Sequence, residues 1–238
     1  MKTPISEHWR SLKPGQAWTF IGLALLLELP VRWIVRPDMP FLRPGNLWFS
    51  LPLRIAIELG FVFVVIAGGL IVRARPATWG LALRRWTRWE WIAFATIAAI
   101  ELTIVILVAG GRWPRLADTG FLGLGLWWAF SEFWFGFNQE WVFRGPLMSG
   151  LMRLTTPASA IVLNTLVFVA GPLHGPGLWR MLPRDPTGAT WMLAGVVATG
   201  LFFSWLRYRT DNVVLCGVLH GLVNGFLNGA GLATRAFL

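Results

Sequence analysis

Three groups of polar residues stand out in a chain that is otherwise rich in Trp, Phe, Leu and Gly. The groups are Gln139, Glu140 and Arg144, then His174, and last His220 with Asn224. Glu140 and Arg144 are four residues apart, and so are His220 and Asn224, so each pair lies on one face of a helix. A carboxylate with an imidazole can activate water, and an imidazole with an amide can donate hydrogen bonds to an oxyanion. The set favours hydrolysis of a peptide bond.

Other readings of the same residues stay open. A metal site is one, because two histidines and one glutamate form a common catalytic zinc set. The chain has no His-Glu-x-x-His motif, so that reading is less specific. A structural ion pair between Glu140 and Arg144 is another, and each histidine alone is explained as a packed core residue. Glu101, Glu132 and Asn164 are weaker candidates, since none has a polar partner four residues away.

Membrane-spanning helices must position these side chains. Of the 238 residues, 55% are hydrophobic and 13% are charged. Apolar runs of about 20 residues recur, which is the length that a helix needs to cross a bilayer. We therefore predict an all-α polytopic transmembrane helical bundle of about seven or eight spans, forming a single integral membrane domain over residues 1–238.

The predicted spans follow the apolar runs. They are Ala17–Val35, Leu51–Val72, Trp91–Ala109, one or two spans in Phe121–Arg153, Ala158–His174, Ala189–Leu206, and 212 to about 232. Pro146 is expected to kink the long central run or to start a new segment in it. On a rise of ~1.5 Å per residue, the three polar groups lie roughly 14–24 Å into their helices. We therefore expect them in one layer, as one buried site.

Two further pairs, Glu28–Arg32 and Arg54–Glu58, also have a spacing of four inside predicted spans. This spacing predicts pairs that neutralise each other and serve in helix packing. The single cysteine, Cys216, excludes an intramolecular disulfide and a cysteine-based metal cluster. We expect no cofactor and no bound metal.

The net charge of +10 comes from basic residues that lie largely at helix ends and in short loops. That distribution fits membrane orientation and contact with anionic lipid better than nucleic acid, so no nucleic-acid partner is expected. The basic, Trp-rich segment Arg73–Arg88 predicts an interfacial helix on the cytoplasmic leaflet. With alternating spans, the positive-inside rule places the N-terminus in the cytoplasm. The expected location is a bacterial or archaeal cytoplasmic membrane, and the oligomeric state stays open.

The order of these motifs resembles that of the CAAX protease and bacteriocin-processing family, intramembrane glutamic proteases that include the type II CAAX prenyl endopeptidases. That family carries Glu-Glu-x-x-x-Arg, then Phe-x-x-x-His, then His-x-x-x-Asn/Asp. Here Glu140-Trp-Val-Phe-Arg144 matches the first motif from its second Glu onward. His220-Gly-Leu-Val-Asn224 matches the third motif, and the resemblance covers about residues 122–225.

The resemblance implies roles for the site residues. Position 139 would supply the general base together with His174, while His220 and Asn224 would bind the oxyanion. Arg144 would pair with Glu140 and hold the helix. The implied partners are the lipid bilayer and a membrane-associated protein or peptide substrate, such as a C-terminal tail.

Two departures from the family pattern matter. Ala170 stands where the second motif has Phe, although Phe168 is near, and Gln139 stands where the first motif has its first Glu. A neutral amide cannot take a proton from water. The chain as written is therefore expected to be inactive or severely impaired, unless Glu140, about 100° further round the helix, substitutes.

Two explanations of Gln139 remain. A nearly isosteric Gln can be installed to trap a substrate, or the chain can have diverged into a non-catalytic membrane scaffold or immunity-type protein. A transporter that uses the same polar layer is a third hypothesis, against which the lack of a visible internal repeat counts.

Overall fold

The computed structural model describes residues 8–35, 47–81 and 85–231. In these ranges the chain is helical and contains no strand, which confirms the predicted all-α class. The helices are α1 Pro14–Leu26, α2 Leu47–Ile71, α3 Arg88–Ala109, α4 Arg112–Asp118, α5 Leu122–Val142, α6 Met148–Leu154, α7 Pro157–Ala170, α8 Gly175–Met181, α9 Pro186–Thr210 and α10 Val213–Val223.

Several helices begin where a side chain caps the first turn. Thr87 accepts a hydrogen bond from the Glu90 backbone N–H at the start of α3. Thr156 and Asp185 cap α7 and α9 in the same way, each followed by a proline at the first helical position. These residues satisfy backbone donors that the first helical turn leaves unpaired.

The described residues contain five stretches that are long and apolar enough to cross a membrane. They are Pro14–Ile34, Leu51–Ile71, Arg88–Ala109, Pro186–Thr210 and Val213–Gly231. Helices α7 and α8 meet at a bend of 59° and count as a sixth span if the pair is taken as one. By length and composition the described residues therefore hold five or six candidate spans, against the seven or eight predicted for the whole chain. Trp, Gly and polar residues lower the hydropathy of α5, which does not qualify.

The long central run does not break at Pro146. Helix α5 continues into a π-helical turn, Phe143–Leu147, and then into α6. Pro146 lies inside this turn, where the wider hydrogen-bond spacing accommodates a residue that lacks an N–H group. Two similar π-helical turns follow α1 and α10, at Leu27–Val31 and Asn224–Asn228. Such turns are rare and occur often at functional sites.

The predicted interfacial helix over Arg73–Arg88 falls partly outside the described residues. In the described part the chain forms one 3₁₀ turn, Pro76–Trp79, and α3 starts only at Arg88. Gly80 closes the turn with a φ of +88°, in the left-handed region that glycine tolerates best. A continuous helix is therefore wrong here, because the glycine ends the turn.

Contacts divide the chain into two compact units. Unit 1 consists of Met1–Arg36, Phe63–Leu83 and Trp141–Val213, and unit 2 of Pro37–Val62, Arg84–Glu140 and Val214–Leu238. In unit 1, α1 packs against α6, and α7 packs against α9. Trp9, Met148, Met152 and Ala160 form a buried cluster there.

The two predicted charge pairs have different surroundings. In unit 1, Nη2 of Arg32 lies 3.6 Å from Oε1 of Glu28, which confirms that pair. In unit 2, Arg54 forms an ion pair with Glu132 of α5. Glu58 accepts a hydrogen bond from Nδ2 of Asn138 at 2.6 Å. These side chains tie α2 to α5, a contact that the spacing of four does not predict.

Candidate active site

The last turn of α5 carries three consecutive polar residues inside unit 2. Asn138, Gln139 and Glu140 are all at most 2% exposed. Oε1 of Gln139 is buried and has no hydrogen-bond partner among the described residues, and the same holds for Oδ1 of Asn138. An unsatisfied buried acceptor costs about 1–3 kcal/mol. Position 139 therefore offers an acceptor to a ligand or to water.

A stripe of glycines brings α10 against α5. Gly217, Gly221, Gly225 and Gly229 recur every four residues along α10, its π-helical turn and the residue after that turn. A Cβ atom at any of the four would lie 2.8–3.0 Å from atoms of α5. Small residues at this spacing let two helix backbones approach closely in a membrane. These glycines are not among the residues predicted from the sequence, although their spacing of four is a signal of close helix packing.

Helix α5 contributes a matching glycine. A Cβ atom at Gly136 would lie 2.8 Å from the His220 carbonyl oxygen and 2.9 Å from Nδ2 of Asn224. His220 and Asn224 therefore pack directly on α5, one turn before Glu140. The close approach depends on the absence of a side chain at position 136.

Glu140 and His220 form the central contact of unit 2. Nδ1 of His220 lies 2.7 Å from Oε1 of Glu140, and both side chains are buried. When Glu140 is ionised, its carboxylate accepts this hydrogen bond and Nδ1 of the imidazole donates it. The contact orients the ring and leaves Nε2 as the nitrogen for further chemistry. The sequence did not predict this contact, and the pairing of Glu140 with Arg144 stays a prediction.

The glycine stripe gives a stability prediction. Gly221→Ala is expected to destabilise the protein by about 1–3 kcal/mol, because the new methyl group meets the ring and carbonyl of Phe133 at 2.8 Å. The matched control is Gly60→Ala in α2 of the same unit, where nothing lies within 4 Å of the new atom. That change is expected to stabilise by about 0.4–1 kcal/mol. Denaturant unfolding in mixed micelles measures both, and the same sign for both changes would contradict the close packing.

Arg144 lies in unit 1, within the π-helical turn, and is fully buried. Its Nη2 atom donates a hydrogen bond to the Gly200 carbonyl oxygen at 3.0 Å. Its guanidinium carbon lies 4.5 Å from the ring centre of Phe168 and 5.8 Å from that of Phe143. A buried cation over aromatic faces is stabilised by cation–π attraction.

His174 lies at the bend between α7 and α8. Nδ1 of His174 is 3.0 Å from the Phe168 carbonyl oxygen, and the two rings are 4.6 Å apart. A carbonyl oxygen only accepts, so Nδ1 is the donor and Nε2 is the nitrogen that can take a proton. Phe168 therefore contacts the histidine by ring and backbone, although Ala170 occupies the position of the family's phenylalanine.

An open groove of about 550 Å³ adjoins the bend at His174. It is lined by Trp33, Ala170, Gly175, Pro176, Trp179 and Arg180. The volume is in the range of small-ligand sites and can hold apolar side chains of a peptide. The groove and the bend both belong to unit 1.

The structure brings the candidate residues together within each unit. In unit 2, Glu140 contacts His220, and Asn224 packs on the same helix. In unit 1, Arg144 and His174 share contacts with Phe168. That all six residues form one site stays a prediction. The described residues hold no group of three His, Cys, Asp or Glu side chains that could bind a metal ion.

Comparison with known proteins gives one match. Residues 121–226 match the model of a family described as Type II CAAX prenyl endopeptidase Rce1-like. The match spans a little less than half of the chain, contains all six candidate residues and confirms the resemblance seen over 122–225. No curated protein and no solved structure matches the chain.

Proposed function

We propose that the protein is a CAAX-type intramembrane protease whose site is impaired by Gln139, because residues 121–226 match the model of the Rce1-like type II CAAX prenyl endopeptidases. The substrate is a peptide segment or C-terminal tail of a membrane-associated protein. The observation that carries the proposal is the buried, unsatisfied amide oxygen of Gln139 beside the Glu140–His220 pair.

The proposed reaction is hydrolysis in which a carboxylate at position 139 is the base. The carboxylate takes a proton as water adds to the scissile carbonyl carbon, and it returns the proton to the departing amine nitrogen as the C–N bond breaks. Nε2 of His174 helps to orient the water. An imidazolium at His220, with Nδ1 toward the Glu140 carboxylate and Nε2–H toward the substrate, and the amide of Asn224 donate hydrogen bonds to the oxyanion that forms. Gln139 has no basic lone pair, so it can bind water or a peptide N–H but cannot take the proton.

Gln139 also supports a second candidate function, a non-catalytic membrane scaffold or immunity-type protein. Its amide both donates and accepts hydrogen bonds, which suits binding of a peptide backbone. The experiment that separates the two functions presents one set of membrane-anchored tails to the Gln139 protein and to its Gln139→Glu form in liposomes. Tails that the first form retains and the second form cuts support the protease. A tail that both forms retain uncut identifies the scaffold.

A chelator separates the glutamic mechanism from a metal-dependent one. Cleavage by the Gln139→Glu protein is expected to proceed at an unchanged rate after treatment with EDTA and phenanthroline, because the proposed reaction uses only side chains of the chain. Product formation measured before and after treatment gives the result. Loss of cleavage that added zinc restores would contradict the proposed mechanism and favour the metal site.

A further inference from the structure

We propose that Arg207 is a positioning residue that fixes His174 through Arg144 and Phe168, an inference that rests on the proposed function of His174. All four residues lie in unit 1. Arg207, Arg144 and Phe168 are at most 2% exposed, and His174 is half-buried. The contacts therefore connect three buried side chains with the partly exposed imidazole of His174.

Arg207 is held by three partners at once. Nε donates to the Arg144 carbonyl oxygen at 2.9 Å, and Nη2 donates to Oγ of Ser149 at 3.1 Å. Nη1 forms an ion pair with Asp211. A planar guanidinium can serve three acceptors in fixed directions, which a lysine ammonium cannot reproduce. The charge on Asp211 and the planar geometry of the guanidinium group together fix the position of the Arg207 side chain.

The π-helical turn changes the hydrogen bonds around Arg144. In a regular helix the Met148 N–H would bond to the Arg144 carbonyl oxygen, four residues earlier. Here the Met148 N–H points to the carbonyl oxygens of Phe143 and Gly145 instead. Nε of Arg207 donates a hydrogen bond to the Arg144 carbonyl oxygen within this turn. The arginine therefore stabilises the turn in its π-helical form.

Gly80 leaves room for this arrangement. A Cβ atom at Gly80 would collide with the Arg207 guanidinium. The Gly80 carbonyl oxygen accepts a hydrogen bond from the Val213 N–H at 2.9 Å, which fixes the loop over the arginine. The 3₁₀ turn before Gly80 thus closes the pocket in which Arg207 lies.

The same turn places the Arg144 side chain against Phe168. The guanidinium of Arg144 is held by the Gly200 carbonyl oxygen and lies over the Phe168 ring. Phe168 in turn contacts His174 through its ring and its carbonyl oxygen. His174 lies at the bend between α7 and α8, as the residue that precedes the first turn of α8. The contacts with Phe168 help to fix the direction of the His174 ring, and Phe168 in turn packs against the residue whose carbonyl oxygen Arg207 binds.

The test observes the His174 imidazole directly and does not require cleavage of a substrate. The chain has three histidines, so ¹⁵N-labelled histidine gives a spectrum of three side chains in detergent micelles. In the protein with Gln139, the Arg207→Lys change is expected to shift the His174 ring nitrogens away from the Nδ1–H tautomer and to leave His8 unchanged. Ser149→Ala, which removes one partner of Arg207, is expected to produce a smaller shift in the same direction. This second variant keeps the test decisive if Arg207→Lys does not fold.

Arg153→Gln is the matched control. Nε of Arg153 donates to the Leu12 carbonyl oxygen at 2.6 Å in the same unit, but this bond does not involve the turn at Arg144. The Arg153→Gln change is expected to leave the His174 resonances unchanged. Unchanged His174 resonances in folded Arg207→Lys and Ser149→Ala proteins would overturn the proposal, and so would an equal shift in the control.

A kinetic arm links this role to the proposed function. In the Gln139→Glu protein, Arg207→Lys is expected to lower kcat by on the order of 10²-fold with little change in KM, because a misplaced catalytic group affects the chemical step. An unchanged kcat in a protein whose His174 has shifted would overturn the link to catalysis. Absence of cleavage by the Gln139→Glu protein itself would contradict the proposed function alone, since the imidazole readout is independent of activity.

Discussion

The Gln139→Glu protein is expected to cleave a membrane-anchored tail on the order of 10²–10⁴ times faster than the protein with Gln139, the factor that a positioned general base contributes. The change replaces an amide by a carboxylate of nearly the same shape. Because the side chain is 2% exposed and closely packed, the surrounding helices are expected to stay in place. The rate of product formation at equal protein concentration measures the effect.

Two control variants test whether the gain in cleavage rate comes from a carboxylate at position 139. Gln139→Ala removes the side chain that binds water and is expected to give no gain. Glu101→Gln, introduced into the Gln139→Glu protein, removes a carboxylate of α3 that lies outside the proposed site, and it is expected to leave the rate unchanged. Equal rates for the Gln139→Ala and Gln139→Glu proteins would contradict a base at position 139.

Arg54→Leu is expected to lower the free energy of unfolding by about 3–5 kcal/mol. Arg54 pairs with Glu132 across α2 and α5, and both are buried. Removing one partner leaves a carboxylate inside the protein without its counter-charge, and that loss is typically of this size. Denaturant titration in mixed micelles measures the change.

The double variant Arg54→Leu, Glu132→Leu tests whether loss of the ion pair causes this loss of stability. A buried ion pair replaced by apolar residues is often neutral, so the double variant is expected to regain most of the lost stability. Arg115→Leu, an exposed arginine in the same unit, is the control and is expected to change stability by less than about 0.5 kcal/mol. A double variant less stable than Arg54→Leu would contradict the ion pair as the origin of the loss.

Local sequence patterns predicted the class and the candidate residues. Apolar runs of about 20 residues indicate spanning helices, because the bilayer fixes the length that they need. The spacing of four in Glu28–Arg32 gave the right local pair, since both residues lie on one continuous helix. The motif order gave the resemblance to the family, which the match over residues 121–226 confirms.

Contacts between distant parts of the chain could not be predicted in this way. Glu140 and His220 are 80 residues apart, and their contact follows from the close packing of α10 on α5. Arg54 shares a helix face with Glu58 by spacing, yet it pairs with Glu132 on another helix. The described residues hold five or six candidate spans, because α5 carries Trp, Gly and polar residues, and α7 bends into α8 after 14 residues.

The central claim is that this site hydrolyses a peptide bond once position 139 carries a carboxylate. The most direct measurement is mass spectrometry of the products that the Gln139→Glu protein forms from a membrane-anchored tail in H₂¹⁸O with chelator present. One ¹⁸O atom in the new C-terminal carboxylate, with none formed by the protein with Gln139, is the predicted result. An uncut tail that remains bound to the Gln139→Glu protein would contradict the claim and identify a binding protein.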